Sequence, residues 1–183
     1  AQDALHDMAL YPDGAGFALK AKLAAKFGVD AKQIVLGNGS NDVLDMVARA
    51  FLAPGTSSVF SQHAFAVYPI ATQTVGAAGI AVPARDYGHD LAAMRAAIRD
   101  DTRVLWIANP NNPTGTFLPW AEIEAFLASV PPQVLVVLDE AYGESLLGVT
   151  ALGDGKFAAY GAFGQYFDTL DGGKSWTKRT IIS

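Results

Sequence analysis

The chain has 183 residues, of which 51% are hydrophobic, enough to bury a sizeable core in one globular unit. Thirteen Lys and Arg against 18 Asp and Glu give a net charge of -5, and no basic run occurs, which excludes an electrostatic footprint for nucleic acid or an anionic membrane. With no cysteine, no apolar stretch of about eighteen residues and no signal-peptide pattern in residues 1–10, disulfides, thiolate metal sites and a helical membrane span are excluded, and a soluble cytoplasmic protein acting on small molecules is expected.

In chain order, Phe17–Phe27 reads as a helix with Leu19, Leu23 and Phe27 on one face and Gly28 as its stop. Residues 33–36 read as a short strand, 41–51 as a helix, Pro54-Gly55 as a turn and 58–61 as a strand. A helix over 67–75, a strand over 79–82, a helix over 91–98, a strand over 104–108, a helix over 120–130 and a strand over 134–138 follow. Strands rich in Val, Ile and Leu without polar alternation are buried on both faces. The expected fold is therefore α/β, a three-layer sandwich around a mostly parallel sheet, with ligands at the carboxyl ends of the strands, just past which Gly39, Asn112 and Asp139 are expected to fall.

After Tyr142 the texture changes: proline disappears beyond Pro132, glycine becomes frequent and helical periodicity gives way to short β-like pieces. Strands are expected over 149–152, 157–160, 165–169 and 175–182, paired as antiparallel hairpins. This predicts a partial α/β domain over 1–144 and a β-hairpin tail over 145–183.

Two motifs carry chemistry. Asn109-Pro110-Asn111-Asn112-Pro113-Thr114-Gly115 follows one apolar strand, and Asp139-Glu140-Ala141-Tyr142 follows the next. Pyridoxal phosphate needs a carboxylate to keep its pyridine nitrogen protonated, donors for its phenolate oxygen and an anion site for its phosphate. Asp139 can supply the first, and Asn112 and Tyr142 the second. Gly39-Ser40-Asn41 opens a helix whose N-terminal amides could hold the phosphate. Each group also has a structural reading: Gly39-Ser40-Asn41 as an ordinary helix cap, Asn112 as a turn residue, Tyr142 and Phe65 as packing. His6, His63 and His89 show no metal-ligand spacing, so no metal is expected.

Tyr11-Pro12-Asp13-Gly14, Leu36-Gly37-Asn38-Gly39-Ser40-Asn41, the 109–115 run and Asp139 to Tyr142 together resemble the fold-type I pyridoxal-phosphate aminotransferases, most closely the histidinol-phosphate aminotransferases. The resemblance runs from about Leu5 to about Glu144. It implies transfer of an amino group between L-histidinol phosphate and 2-oxoglutarate in histidine biosynthesis. It implies Asp139 on the pyridinium, Asn112 and Tyr142 on the phenolate oxygen, Gly39, Ser40 and Asn41 on the phosphate, and Phe65 against the ring face. It further implies a homodimer in which Tyr11 reaches the neighbouring subunit's phosphate. A tight bend facing the cofactor makes Asn112-Pro113 an expected cis peptide.

The family also places a Schiff-base lysine, in a Ser-Lys segment, roughly thirty residues after the aspartate. Lys156 comes early and in a Gly-Asp-Gly-Lys turn; Lys174 has nearly the right spacing but sits in Thr169-Leu170-Asp171-Gly172-Gly173-Lys174-Ser175-Trp176. That segment resembles the Asp-box turn of β-propellers, in which aspartate caps loop amides and tryptophan tucks between strands. The expectation is an aminotransferase by ancestry, truncated before its lysine and inactive as this chain. The alternative is a non-catalytic fusion of a truncated aminotransferase with a propeller-type interaction segment. The chain begins at Ala1 rather than methionine, which is compatible with a missing upstream segment.

Overall fold

The computed structural model describes residue 11, residues 13–141 and, for the backbone, residues 145–153, 156–162, 165–168 and 177–180. Helix α1 (Phe17–Phe27) stops where expected: Gly28 turns into the left-handed region at φ 68° and donates its N–H to the Ala24 carbonyl at 2.8 Å. Of its expected apolar face only Phe27 is buried, whereas Leu19 is 52% exposed.

The expected strand over 33–36 does not form. Asp30 caps a 3-10 turn over Ala31–Gln33, with its side chain accepting from Lys32 N while Gln33 returns a carbonyl to the Asp30 N–H. This reciprocal capping box outcompetes extension at the start of the run. The apolar Ile34-Val35-Leu36 that suggested a strand is only partly covered, with Val35 56% exposed. Gly39 consequently follows a loop, not a strand, as N-cap of helix α2 (Ser40–Phe51).

The remaining elements alternate: β1 (Ser57–Ser61), α3 (Val67–Thr74), β2 (Ala78–Val82), α4 (Leu91–Ala96), β3 (Thr102–Ala108), α5 (Trp120–Ser129) and β4 (Leu135–Asp139). The four strands form one sheet in the order β2-β1-β3-β4, parallel throughout. Alternating residues of β3 feed two cores. Val104, Trp106 and Ala108 pack with Leu44 and Ala48 of α2 and Tyr68 and Ala71 of α3. Leu105 and Ile107 pack on the other face with Met94 of α4 and Ile123 and Phe126 of α5. This is the three-layer α/β sandwich expected from the unalternating strands. Edge strand β2 departs from the pattern, since only Val82 in it is buried.

The strand order reverses direction between β1 and β3: β2 lies on one side of β1, while β3 and β4 extend on the other. In open parallel sheets the carboxyl ends flanking such a switch point form the ligand crevice. Helix α2 brings its N-terminus to the same end. It returns to β1 through residues 52–56, so it runs antiparallel to the strands. Its 12 residues span about 18 Å, matching the length of a five-residue strand at roughly 17 Å.

Beyond residue 144 the pairing changes character. Strands β5 (Ser145–Gly153), β6 (Lys156–Ala162), β7 (Gln165–Asp168) and β8 (Thr177–Thr180) form a separate antiparallel sheet in sequence order. Residues 169–176, which hold the Asp-box-like turn with Asp171 and Trp176, lie outside the described residues. Among the described residues no helix is long and apolar enough to cross a membrane.

Candidate functional site

Asp139 is the last residue of β4 and not beyond it, next to the β3 end: the Asn109 N–H donates to its carbonyl at 2.8 Å, continuing the β3–β4 pairing. Both carboxylate oxygens are held. Oδ1 accepts from the Ala141 N–H at 3.1 Å, and Oδ2 accepts from the Tyr68 hydroxyl at 2.9 Å. A carboxylate has about four lone-pair positions, so two contacts leave capacity for a further donor.

The loop after β3 sorts its three asparagines. Asn109 clamps Leu118, accepting from its N–H at 2.8 Å and donating to its carbonyl at 3.0 Å. Asn111 donates to the His63 carbonyl at 2.9 Å and to Thr114 Oγ1 at 2.7 Å, tying the β3 loop to the β1 loop across the switch point. Both residues are buried. Asn112, next in the loop, is half-buried, and its carboxamide makes no hydrogen bond within the described residues. A free amide on a clamped loop is what ligand contact requires. The expected cis bond at Asn112-Pro113 is present, and a second, not anticipated from the sequence, lies at Asn109-Pro110.

Phe65 stands half-buried beside the start of α3, its ring edge-on to Tyr68 with centroids 5.9 Å apart. Gly39 holds φ 81°, where an L side chain is strained, and caps α2 with no side-chain hydrogen bond; Ser40 and Asn41 are exposed. The first-turn amides are thus available to an anion. Tyr11 is 97% exposed. Tyr142 lies outside the described residues. Asp139 and Phe65 therefore meet through Tyr68, and Asn112 sits on a loop anchored to His63, whereas no hydrogen bond among the described residues joins Gly39, Ser40 or Asn41 to these groups.

Two residues of the site were missed by sequence reasoning. Tyr68 carries no motif of its own, yet its spacing of three from Phe65 puts both rings on one face at the start of α3. Burial, then the Asp139 charge and hydrogen bond, push the Tyr68 phenol upward, so it remains a donor. Glu140 is the second. Burial foremost, and the Asp139 charge after it, push its carboxyl up to about 8. Among the described residues its Oε2 is buried without a partner. The unfolded chain therefore releases this proton first: stability is unaffected below the ordinary value of 4.5, falls as pH rises towards about 8, and levels off above it. Glu140→Gln is expected to remove that fall and to be more stable than the parent at pH 9 by about 1 to 3 kcal/mol, discounted for residual solvent contact. Urea unfolding at pH 5, 7 and 9 measures it.

A separate cavity of about 190 Å³ is lined by Arg85, Asp86, Gly88, His89, Thr116, Phe117 and Leu118. It includes none of the candidate cofactor-site residues and falls short of the roughly 300 Å³ at which ligand pockets begin. His89 Nε2 there donates to the Ala108 carbonyl at 2.7 Å, and burial pulls the ring's pKa below its ordinary value.

A parallel sheet sandwiched by helices, with an aspartate at the end of β4 hydrogen-bonded to a tyrosine of α3, defines a three-layer α/β domain. The family model for aminotransferase class I and II matches residues 1–161, and the chain belongs to that family. It is 84% identical over 146 residues to histidinol-phosphate aminotransferase 1 of Thiobacillus denitrificans, covering 80% of this chain and 38% of that protein. It is 64% identical over 143 residues to histidinol-phosphate aminotransferase 2 of Nitrosospira multiformis, covering 78% and 36%. The crystal structure of histidinol-phosphate aminotransferase from Sinorhizobium meliloti in complex with pyridoxal-5'-phosphate superposes with a TM-score of 0.73 at 30% identity, covering 78% of this chain and 39% of that one. The chain thus spans under two fifths of the length of these relatives.

Proposed function

We propose that residues 1–144 are the cofactor-binding part of a histidinol-phosphate aminotransferase, a pyridoxal-phosphate enzyme of histidine biosynthesis that exchanges an amino group between L-histidinol phosphate and 2-oxoglutarate. The observation that carries this reading is Asp139, held at the end of β4 by Tyr68 with lone pairs to spare. Bound there, pyridoxal phosphate supplies the electron sink for amino transfer. The Asp139 carboxylate accepts from the ring nitrogen and keeps it protonated. Asn112, with its unengaged amide, and Tyr142 donate to the phenolate oxygen. The first-turn amides at Gly39, Ser40 and Asn41 take the phosphate, and Phe65 covers a ring face. The exposure of Tyr11 favours a homodimer in which it contacts the neighbouring subunit's cofactor phosphate.

As this 183-residue chain, no turnover is expected, because neither Lys156 nor Lys174 stands in the family's Ser-Lys context. The antiparallel order β5-β6-β7-β8 favours a second reading of residues 145–183, a propeller-type interaction segment joined to the truncated domain. Mixing purified chain with pyridoxal phosphate, reducing with borohydride and mapping peptides tests the inactive reading. Scattered labelling at surface lysines such as Lys20 and Lys178, with no amino transfer from L-histidinol phosphate, is the expected result. One dominant pyridoxyl-lysine at Lys156 or Lys174, with turnover that Asp139→Ala abolishes, overturns it and shows that the tail supplies a catalytic lysine.

A further inference from the structure

We infer that Tyr68 is the positioning residue of this site: its hydroxyl holds Asp139 Oδ2 so that the remaining lone pairs of the carboxylate face the ring nitrogen of the bound cofactor. The inference rests on the cofactor reading above. Tyr68 is fully buried, and its ring stacks on Trp106 with centroids 5.3 Å apart and planes 6° from parallel. Its backbone is fixed as well. The Tyr68 N–H donates to the Phe65 carbonyl at 3.1 Å, and the Tyr68 carbonyl accepts from Thr72 Oγ1 at 2.8 Å, which in turn meets Ser58 Oγ of β1 at 2.7 Å. The hydroxyl therefore reaches Asp139 from a ring that has no freedom to swing. With Oδ1 held by the Ala141 N–H, two donors from separate elements define the carboxylate plane.

A purely structural phenol is satisfied by any acceptor. This one ends on the carboxylate at the strand end, and the helix that presents it begins two residues after Phe65, whose ring is edge-on to that of Tyr68. One helix thereby couples the aromatic cover of the cofactor ring to the carboxylate that meets the ring nitrogen. Helix α3 is itself tied to β1 through the buried Thr72–Ser58 pair, which gives a control that loosens the helix without touching the carboxylate.

The experiment uses the full chain and pyridoxamine 5′-phosphate labelled with ¹⁵N in the ring, a probe with no aldehyde and hence no Schiff base to confuse the reading. Affinity is titrated by fluorescence, and ring-nitrogen protonation is followed by ¹⁵N resonance against pH, for the parent chain, Tyr68→Phe, Thr72→Val and Asp139→Ala. Thermal unfolding reports folding. The parent should bind saturably with its ring nitrogen protonated to higher pH than in the free probe. Tyr68→Phe should bind about tenfold more weakly, as for loss of one hydrogen bond to a charged group, and lower the protonation midpoint by about one pH unit. Thr72→Val should unfold at lower temperature yet match the parent in affinity and midpoint. In the parent, the hydroxyl-bearing carbon of labelled Tyr68 should shift when the probe binds, a readout that holds whether or not Tyr68→Phe folds.

Parent-like affinity and midpoint in Tyr68→Phe, while Asp139→Ala loses binding, overturn the role of Tyr68 and leave the site standing. An equal shift in Thr72→Val reduces Tyr68 to a packing residue. An unmoved Tyr68 resonance likewise overturns the inference. Absence of saturable binding by the parent chain overturns both the inference and the cofactor reading.

Discussion

Asp139→Ala is expected to abolish saturable binding of pyridoxamine 5′-phosphate, lowering affinity on the order of 100-fold, the usual consequence of truncating one partner of a hydrogen-bonded charge pair. Three contacts make the effect larger than for any other single residue of the site. The variant loses the acceptor for the ring nitrogen, strands the Tyr68 hydroxyl, and frees the Ala141 N–H. A buried phenol without an acceptor costs about 1 to 3 kcal/mol, so the thermal midpoint should fall as well. Asp139→Asn separates the two effects: its side-chain oxygen can still receive Tyr68, but it lacks the charge that favours a protonated pyridine. Calorimetric titration of the three chains measures the difference, and binding by Asp139→Ala at parental strength would remove Asp139 from the site.

The largest loss of stability is expected from Trp106→Ala. Trp106 is fully buried on the central strand β3, among α2, α3 and β4, and is the stacking partner of Tyr68. Truncating such a side chain removes its transfer energy and leaves a cavity, at a cost of about 3 to 5 kcal/mol, a large fraction of what a domain of this size has. Urea unfolding measures it. Trp106→Phe should lose much less, since it keeps a stacked ring and deletes an indole N–H that, among the described residues, is buried without a partner. Because Tyr68 loses one wall of its slot in the alanine variant, cofactor-probe affinity should fall with stability there and stay near parental in the phenylalanine variant.

Much of the fold was legible because burial on both faces leaves a mark in the sequence. The unalternating runs at 104–108 and 134–138 read as parallel strands buried on both faces, and the apolar stretch at 120–130 between them as a covering helix. Gly28 ended α1 for the local reason that only glycine takes its backbone conformation cheaply. The reading failed at residues 33–36, where an apolar run was taken as a strand: a capping box three residues upstream decided the backbone locally, and strand pairing is a property of a partner that the run does not carry. In the tail, antiparallel strands were legible from glycine punctuation, though β5 starts at Ser145, four residues before the expected strand.

For the site, the sequence by itself determined the chemical inventory: a carboxylate at a strand end, an amide-rich turn and a glycine-opened helix, each in a position that follows from local pattern. What only the tertiary structure decided is which of those groups are free and which are spent. Asn109, Asn111 and Asn112 are alike in sequence, but two are consumed in clamping Leu118 and His63, and one is left over. Tyr68 and Asp139 are 71 residues apart and become partners only because α3 and β4 pack against the same central strand. Glu140, one residue from Asp139, holds its proton to higher pH because burial and then the neighbouring Asp139 charge disfavour its charged form. Hydrogen-bond satisfaction and desolvation are set by what surrounds a group in three dimensions, and residues distant in sequence supply those surroundings.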